Sequence, residues 1–276
     1  MNELTPEEEL QSLKKEVSRL RLEANLRKSL ATQLEKQKKV AEDAKAEALT
    51  KSQQLEAVSG QLAKYLSPQI YESIFSGKQN VEIKSYRKKL TVFFSDIVNF
   101  TNISETLESE ELTALLNFYL NEMSQIALSF GGTIDKYIGD AVMIFFGDPE
   151  TLGIEEDAHQ CVSMAVAMQK RMIELQGYWG KHFGLKEDLQ IRIGINTGYC
   201  TVGNFGSEDR LDYTVVGGAV NLASRLEGAA PASSILISEE TYLQVQDHFD
   251  FKEAAELDLK GVGRSIKSFE VMIDDY

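Results

Sequence analysis

Apolar positions recur in steps of three and four at the start of the chain and give way, further on, to short continuous or alternating runs. Leu10, Leu13, Val17 and Leu20 form one such seam and Leu55, Val58, Leu62 and Tyr65 another, the spacing of an amphipathic helix that packs along a narrow stripe. Thr5-Pro6-Glu7-Glu8 opens it with a cap residue, proline at the first helical position and glutamate three residues after the cap. The two seams are out of register. Leu10 and Leu55 lie 45 residues apart, three more than six heptads, so the heptad pattern breaks in the weaker stretch holding Leu30, Leu34 and Val40. Such a stripe needs a partner helix, and a second copy of the chain is the expected one. The helix then serves either as a dimerisation rod or as a signalling stalk whose heptad break passes an input onward.

From about Lys88 the period changes. KLTVFFSDI (89 to 97) reads as a buried strand, and Ser109 to Phe130 as a helix with Leu112, Leu115, Leu116, Tyr119, Leu120 and Met123 on one face, closed by Gly131-Gly132. TIDKYI and AVMIFF flank Gly139-Asp140, a two-residue hairpin signal. A helix over Glu155–Gln176, strands over 189–198 and 213–216, a helix over Gly218–Glu227, a strand at Ile235–Ile237, a helix over Glu239–Gln246 and a hairpin around Gly261-Val262-Gly263 follow. This order predicts an α+β fold, a mixed ferredoxin-like or palm-type sheet covered by helices and preceded by a long coiled-coil helix. The expected organisation is a coiled coil over 1–66, a linker over 67–87 and a catalytic domain over 88–276.

Charge sharpens the division. Residues 1–75 carry 12 basic and 12 acidic side chains and the remainder 17 against 31, so the net −14 lies entirely in the second part. That argues against nucleic-acid binding and against a basic membrane-surface domain. Cys161 and Cys200 are too few for a disulfide framework and read as core residues of a cytoplasmic protein. There is no apolar run of membrane-spanning length and no signal-peptide pattern. His159, His182 and His248 lack ligand spacing and read as isolated surface or cap residues, Trp179 as part of a partly packed loop, and YCTVGNFG (199 to 206) as a strand end and flexible loop at a dimer interface.

Two aspartates stand out against this background. Asp96 lies in FFSDIVNFT and Asp140 in DKYIGDAVMIFF, both apolar, strand-like runs. A carboxylate buried there without a partner costs several kcal/mol, on the order of 2–7 kcal/mol for a polar group and more for a charge, so two of them suggest a cation between strands. Mg²⁺ or Mn²⁺, two per site, suits carboxylate, phosphate and water ligands and in-line phosphoryl chemistry. The alternative is that each aspartate caps a turn. Arg225 lies four residues after Asn221 and so shares its helical face; the alternatives are that Lys136 is a solvated strand residue and Arg225 a surface charge.

FFSDIVNFT, GGTIDKYIGDAVMIFF, IRIGINTG and YTVVGGAVNLASRLE, in this order, resemble the catalytic domain of the class III nucleotidyl cyclases over about Lys88 to Met272. LAKYLSPQIYESIFSGK (62 to 78) is similar to the element that joins a coiled coil to that domain. The resemblance implies that Asp96, Asp140 and the carbonyl of Ile97 bind metal, that Lys136 and Thr214 read the purine, that Asn221 and Arg225 orient the ribose and steady the α-phosphate, and that Lys260 holds the terminal phosphates. It also implies a homodimer in which the metal aspartates come from one subunit and the other residues from its partner. Lysine donates to N1 of adenine, whereas guanine carries a hydrogen there, so Lys136 favours ATP; Thr214 can either donate or accept and decides less.

The expected activity is therefore an adenylate cyclase that converts ATP to cyclic AMP and pyrophosphate under control of the coil, with room for an upstream sensor. A guanylate cyclase and a non-catalytic nucleotide-binding regulatory module are the alternatives. Every polar position that the resemblance expects is filled, which argues against the second of these.

Overall fold

The computed structural model describes residues 6–77, 83–254, 256–258 and 265–273. The chain divides into two compact units, Met1–Tyr65 and Leu66–Tyr276. In the first, α1 (Pro6–Leu62) is one unbroken helix, followed by a single 3₁₀ turn at Ala63–Tyr65. Pairs four residues apart, Glu23 with Arg27 and Glu47 with Lys51, both at 2.7 Å, brace its polar surface. No residue of α1 is buried, and its seam residues lie open, Leu55 at 71% exposure. Propensity and ion pairs alone give little stability to an isolated helix, so the apolar stripe is where further stabilisation must come from.

The second unit opens with α2 (Pro68–Phe75), capped by the Ser67 hydroxyl, which accepts from the Ile70 amide. Its strands are β1 (Ser85–Ile97), β2 (Thr133–Ile138), β3 (Ala141–Phe146), β4 (Ile191–Gly206), β5 (Leu211–Val216), β6 (Ile235–Ser238), β7 (Phe251–Glu253) and β10 (Ser268–Val271), which form one eight-stranded sheet. The order is β2-β3-β1-β4-β6-β10-β7, with β5 paired to β4 beyond that path. β4 and β6 run parallel and the other pairs antiparallel. A separate two-stranded ladder joins β8 (Leu257–Asp258) to β9 (Ser265–Ile266). The predicted turn at Gly261-Val262-Gly263, and Lys260, lie outside the described residues.

Strand alternation sends β1 to two cores at once. Phe93 and Ile97, with Val142, Ile144 and Phe146 of β3, pack against α4 (Ser109–Ser129), α5 (Ile154–Glu174), α6 (Tyr178–Phe183) and α8 (Glu239–Val245). Leu90, Val92 and Phe94, with Met143 and Phe145, join Val215 of β5 and Ala223 of α7 (Gly218–Ala229) in the second core. Asp96 falls on the same alternation as Leu90, Val92 and Phe94 and so belongs to the α7 side of the sheet.

Several expectations need correction. Trp179 is not in a partly packed loop but fully buried in α6, edge-on to Phe118 at 5.7 Å and stacked on Phe183 at 6.1 Å; its partner Phe118 is supplied by another helix. Of residues 199–206 the strand end holds but the flexible loop does not, since all of them continue β4 and 201–206 pair with β5. The histidines are not isolated. His159 meets His248 at 4.8 Å between ring centroids and His182 stacks on Tyr178 at 4.0 Å. A short helix, α3 (Phe100–Thr106), and the strands β7 and β10 were not foreseen. Cys161 and Cys200 are free and buried, as expected.

Candidate active site

β1 ends at Ile97 beside the turn that joins β2 to β3. That turn has two residues, Gly139 and Asp140, with Ile138 paired to Ala141 across it. Gly139 has φ 66° while Asp140 does not, the pattern of a type II′ turn, in which glycine takes the first central position. The geometry brings the Asp140 carboxylate against the end of β1, where it accepts from the Ile97 amide at 3.1 Å. Burial, followed by the neighbouring Asp96 carboxylate, pushes the Asp140 carboxyl up to about 7.

Two crowded carboxylates of this kind suit a divalent cation, because both are hard oxygen donors and a cation removes their mutual repulsion. Among the described residues no cluster of three or more His, Cys, Asp or Glu forms a metal set. Two carboxylates therefore fit a cation that takes its remaining ligands from phosphates and water, as Mg²⁺ does.

Arg192 of β4 ties Asp96 to α7. Its Nη2 lies 2.9 Å from Asp96 Oδ2 and its Nε 2.7 Å from Glu227 Oε1. The Glu227 carboxyl is raised by burial, partly offset by Arg192. α7 sits directly on β4 because β4 presents glycine where the helix crosses. A β-carbon on Gly194 would lie 2.0 Å from the Glu227 amide nitrogen, and one on Gly198 2.8 Å from Ala219 Cβ. Asn196 donates its side-chain amide to the Ala219 carbonyl at 2.9 Å and fixes the first turn of the helix. Asn221 and Arg225 both line a cavity of about 600 Å³ with Asn196, Tyr199, Lys89 and Glu240, so the pair expected to share one helical face opens to one space.

Lys136 and Thr214 are also brought together, through a residue that the sequence reading passed over. Asp135 accepts from the Thr214 hydroxyl at 2.5 Å, and its other oxygen lies 3.4 Å from Lys136 Nζ. The Asp135 side chain is 1% exposed and that of Lys136 41%. Burial raises the Asp135 carboxyl, offset by Thr214, Lys136 and the Val215 amide. The signal for it in the sequence is a carboxylate within the strand run TIDKYI.

A second cluster anchors β5 through Tyr213, the neighbour of Thr214. Asp148, 2% exposed, accepts from the hydroxyls of Tyr86 and Tyr213 and from Lys88 Nζ at 3.0 Å. Burial, then the bond to Asp148, pushes the Tyr86 phenol up to about 12. Of the expected site residues, the structure thus joins Asp96, Ile97 and Asp140 in one group, Lys136 and Thr214 in another, and Asn221 and Arg225 in a third; Lys260 lies outside the described residues.

Comparison with known proteins gives the family. Residues 81–272 match the family described as "Adenylate and Guanylate cyclase catalytic domain", and the chain belongs to that family. Adenylate cyclase 1 of Rhizobium meliloti (strain 1021) is 33% identical over 190 residues, covering 68% of this chain and 28% of its own length. The adenylate cyclase of Anabaena cylindrica is 35% identical over 201 residues, covering 71% and 39%. The crystal structure of the adenylyl cyclase CyaB from P. aeruginosa superimposes with a TM-score of 0.68 at 54% identity, covering 70% of this chain and 98% of that one. The chain spans well under half the length of the two bacterial relatives. No helix among the described residues is long and apolar enough to cross a membrane.

Proposed function

We propose that the chain is an adenylate cyclase that converts ATP to 3′,5′-cyclic AMP and pyrophosphate in a homodimer whose two sites lie between subunits. The observation that carries this reading is the convergence of Asp96 and Asp140 at the β1 end and the β2–β3 turn, in a chain that also has Lys136 and Thr214 joined through Asp135. The relatives named adenylate cyclase support it.

Asp96, Asp140 and the Ile97 carbonyl are the groups assigned to two Mg²⁺ or Mn²⁺ ions, which when bound make the ribose 3′-hydroxyl more acidic and neutralise the phosphates. The rest of the work falls to the chain's own residues. Lys136 donates to N1 of the adenine. Asn221 orients the ribose so that the 3′-oxygen faces the α-phosphorus in line, its proton passing to Asp96 or to water as the bond to pyrophosphate breaks. Arg225 meets the negative charge that develops at the α-phosphate, and Lys260 holds the departing pyrophosphate. Fixed cations placed where charge develops need no reorganisation during the reaction, which is where most of the rate should arise. The exposed seam of α1 is the surface proposed to pair the two subunits, over a coil of residues 1–66 and a linker of 67–87 leading to the catalytic domain from 88.

Shared sites have a direct test. Asp140→Ala and Arg225→Ala are each expected to abolish cyclic AMP formation, while a mixture of the two variants regains about a quarter of the wild-type activity, because half the dimers are mixed and each of those has one intact site. A mixture as silent as its components contradicts the shared-site arrangement.

A further inference from the structure

The route by which the base is read goes beyond the two residues assigned to it. We propose that Asp135 is a positioning residue for base selection: it accepts the hydrogen bond that the Thr214 hydroxyl donates, leaving the Thr214 oxygen as an acceptor only toward a ligand, and so turns a neutral threonine into a reader of the adenine 6-amino group. The inference rests on the proposed ATP reading.

Three observations carry it. The first is chemical. The Asp135 carboxylate is surrounded by donors: the Thr214 hydroxyl at 2.5 Å, Lys136 Nζ at 3.4 Å and the Val215 backbone amide. Lysine and a backbone amide can only donate, so the group between them is held as an acceptor, and the one hydroxyl that faces it must donate. A hydroxyl has a single hydrogen. With that hydrogen committed to Asp135, the Thr214 oxygen can offer a ligand only lone pairs.

The second observation is backbone geometry. In an unbroken strand Asp135 and Lys136 would point to opposite faces. The pairing of β2 with β3 instead shifts register at this point, with Ile134 opposite Ile144 and Lys136 opposite Met143, so Asp135 is the extra residue of a β-bulge. Bulges of this kind re-aim side chains. Here the bulge lets one carboxylate touch both its own neighbour and a threonine 79 residues away.

The third is burial. The Asp135 side chain is 1% exposed and so does not itself reach a nucleotide, whereas Lys136 is open to one. The result is a pair of fixed opposite polarity, Lys136 as donor and Thr214 as acceptor. Adenine presents the complement, an acceptor at N1 and a donor at the 6-amino group. Guanine presents the reverse, a hydrogen at N1 and an acceptor at O6, so a Thr214 free to rotate its hydrogen could accommodate guanine and one held by Asp135 cannot.

The test compares kcat/KM for ATP, GTP and purine riboside triphosphate, which lacks the 6-amino group, in the wild-type chain and in Asp135→Asn, Thr214→Val and the swap Asp135→Asn/Thr214→Asp. Melting temperatures are recorded for each. In the wild type, loss of the 6-amino group is expected to lower kcat/KM by about five- to tenfold, the range for one hydrogen bond. In Asp135→Asn that penalty should largely vanish and the ATP-to-GTP ratio should fall by a similar factor, as it should in Thr214→Val. The swap, which moves the carboxylate to position 214 and leaves an amide donor behind it, should restore the ATP preference. A purely structural role for Asp135 would lower turnover of all three nucleotides alike.

A folded Asp135→Asn that keeps the wild-type ratio and the wild-type 6-amino penalty overturns the inference while leaving the ATP reading intact. A wild-type chain that prefers GTP overturns both. If Asp135→Asn fails to fold, the swap decides: a folded swap variant without ATP preference overturns the inference.

Discussion

Gly194 bears the contact on which α7 is seated, and its replacement by alanine separates the seating of the helix from its chemistry. A β-carbon there would lie 2.0 Å from the Glu227 amide nitrogen, 2.4 Å from the Ala223 carbonyl oxygen and 2.7 Å from the Glu227 Cα. All three are backbone atoms, so no side chain can rotate away and the helix itself must retreat. Restoring an ordinary contact moves α7 by about 1 Å, and misplacement of that size at a reacting centre costs on the order of a hundredfold in rate. The strain should cost about 1–3 kcal/mol in stability. Gly228, on the same helix, is the control, because a β-carbon there meets nothing within 4 Å. Gly228→Ala should gain about 0.5–1 kcal/mol from helix propensity and keep full activity. Thermal unfolding and cyclic AMP formation, measured side by side, read both effects. A Gly194→Ala chain that melts and turns over like the wild type refutes the reasoning about how α7, and with it Asn221 and Arg225, is held.

Three further expectations concern charge. Asp140→Asn keeps an acceptor for the Ile97 amide but removes one of two crowded carboxylates, so without divalent ions the variant should be more stable than the wild type by on the order of 1 kcal/mol, allowing for its partial exposure. Added Mg²⁺ should raise the melting temperature of the wild type and leave the variant where it was; equal shifts would count against a metal at this pair. Lys136→Glu should move the ATP-to-GTP ratio toward GTP by about tenfold or more, the scale of a hydrogen bond from a charged group, although it sets a second carboxylate beside Asp135 and should lower turnover overall; an unchanged ratio would remove Lys136 from base reading. Tyr86 is favoured in its protonated form, so its contribution to stability is complete below pH 10 and lost as pH rises through about 12. Phenolate absorbance should show that late ionisation, and Asp148→Asn should bring it back toward the ordinary value; a Tyr86 that titrates normally in the intact chain contradicts the Asp148 cluster.

What the sequence made legible was whatever depends on local period and turn chemistry. The change from helical spacing to strand runs, the Gly139-Asp140 hairpin and the amphipathic face with Leu115, Tyr119 and Met123 all follow from neighbours a few residues apart, and the structure has them. The features missed depend on distant partners. Trp179 is buried because Phe118 meets it from α4, and nothing in GYWGKHFG announces that. Residues 199–206 extend as strand because β1 pairs with the first of them and β5 with 201–206. The glycines of IRIGINTG are explained by a helix that arrives some 25 residues later. The role of Asp135 needs both a bulge, invisible in a pattern of apolar positions, and a threonine on another strand. The tyrosines on Asp148 likewise come from strands 62 and 65 residues away.

The property that decides the function is which nucleotide the chain cyclises. Production of cyclic nucleotide and pyrophosphate should be measured from ATP and from GTP, each with Mg²⁺ and with Mn²⁺, beside an Asp140→Ala control. Cyclic AMP formed in preference to cyclic GMP, requiring the divalent ion and absent from the control, is the predicted result; a preference for GTP, or cyclic AMP formation that survives in the Asp140→Ala chain, would contradict it.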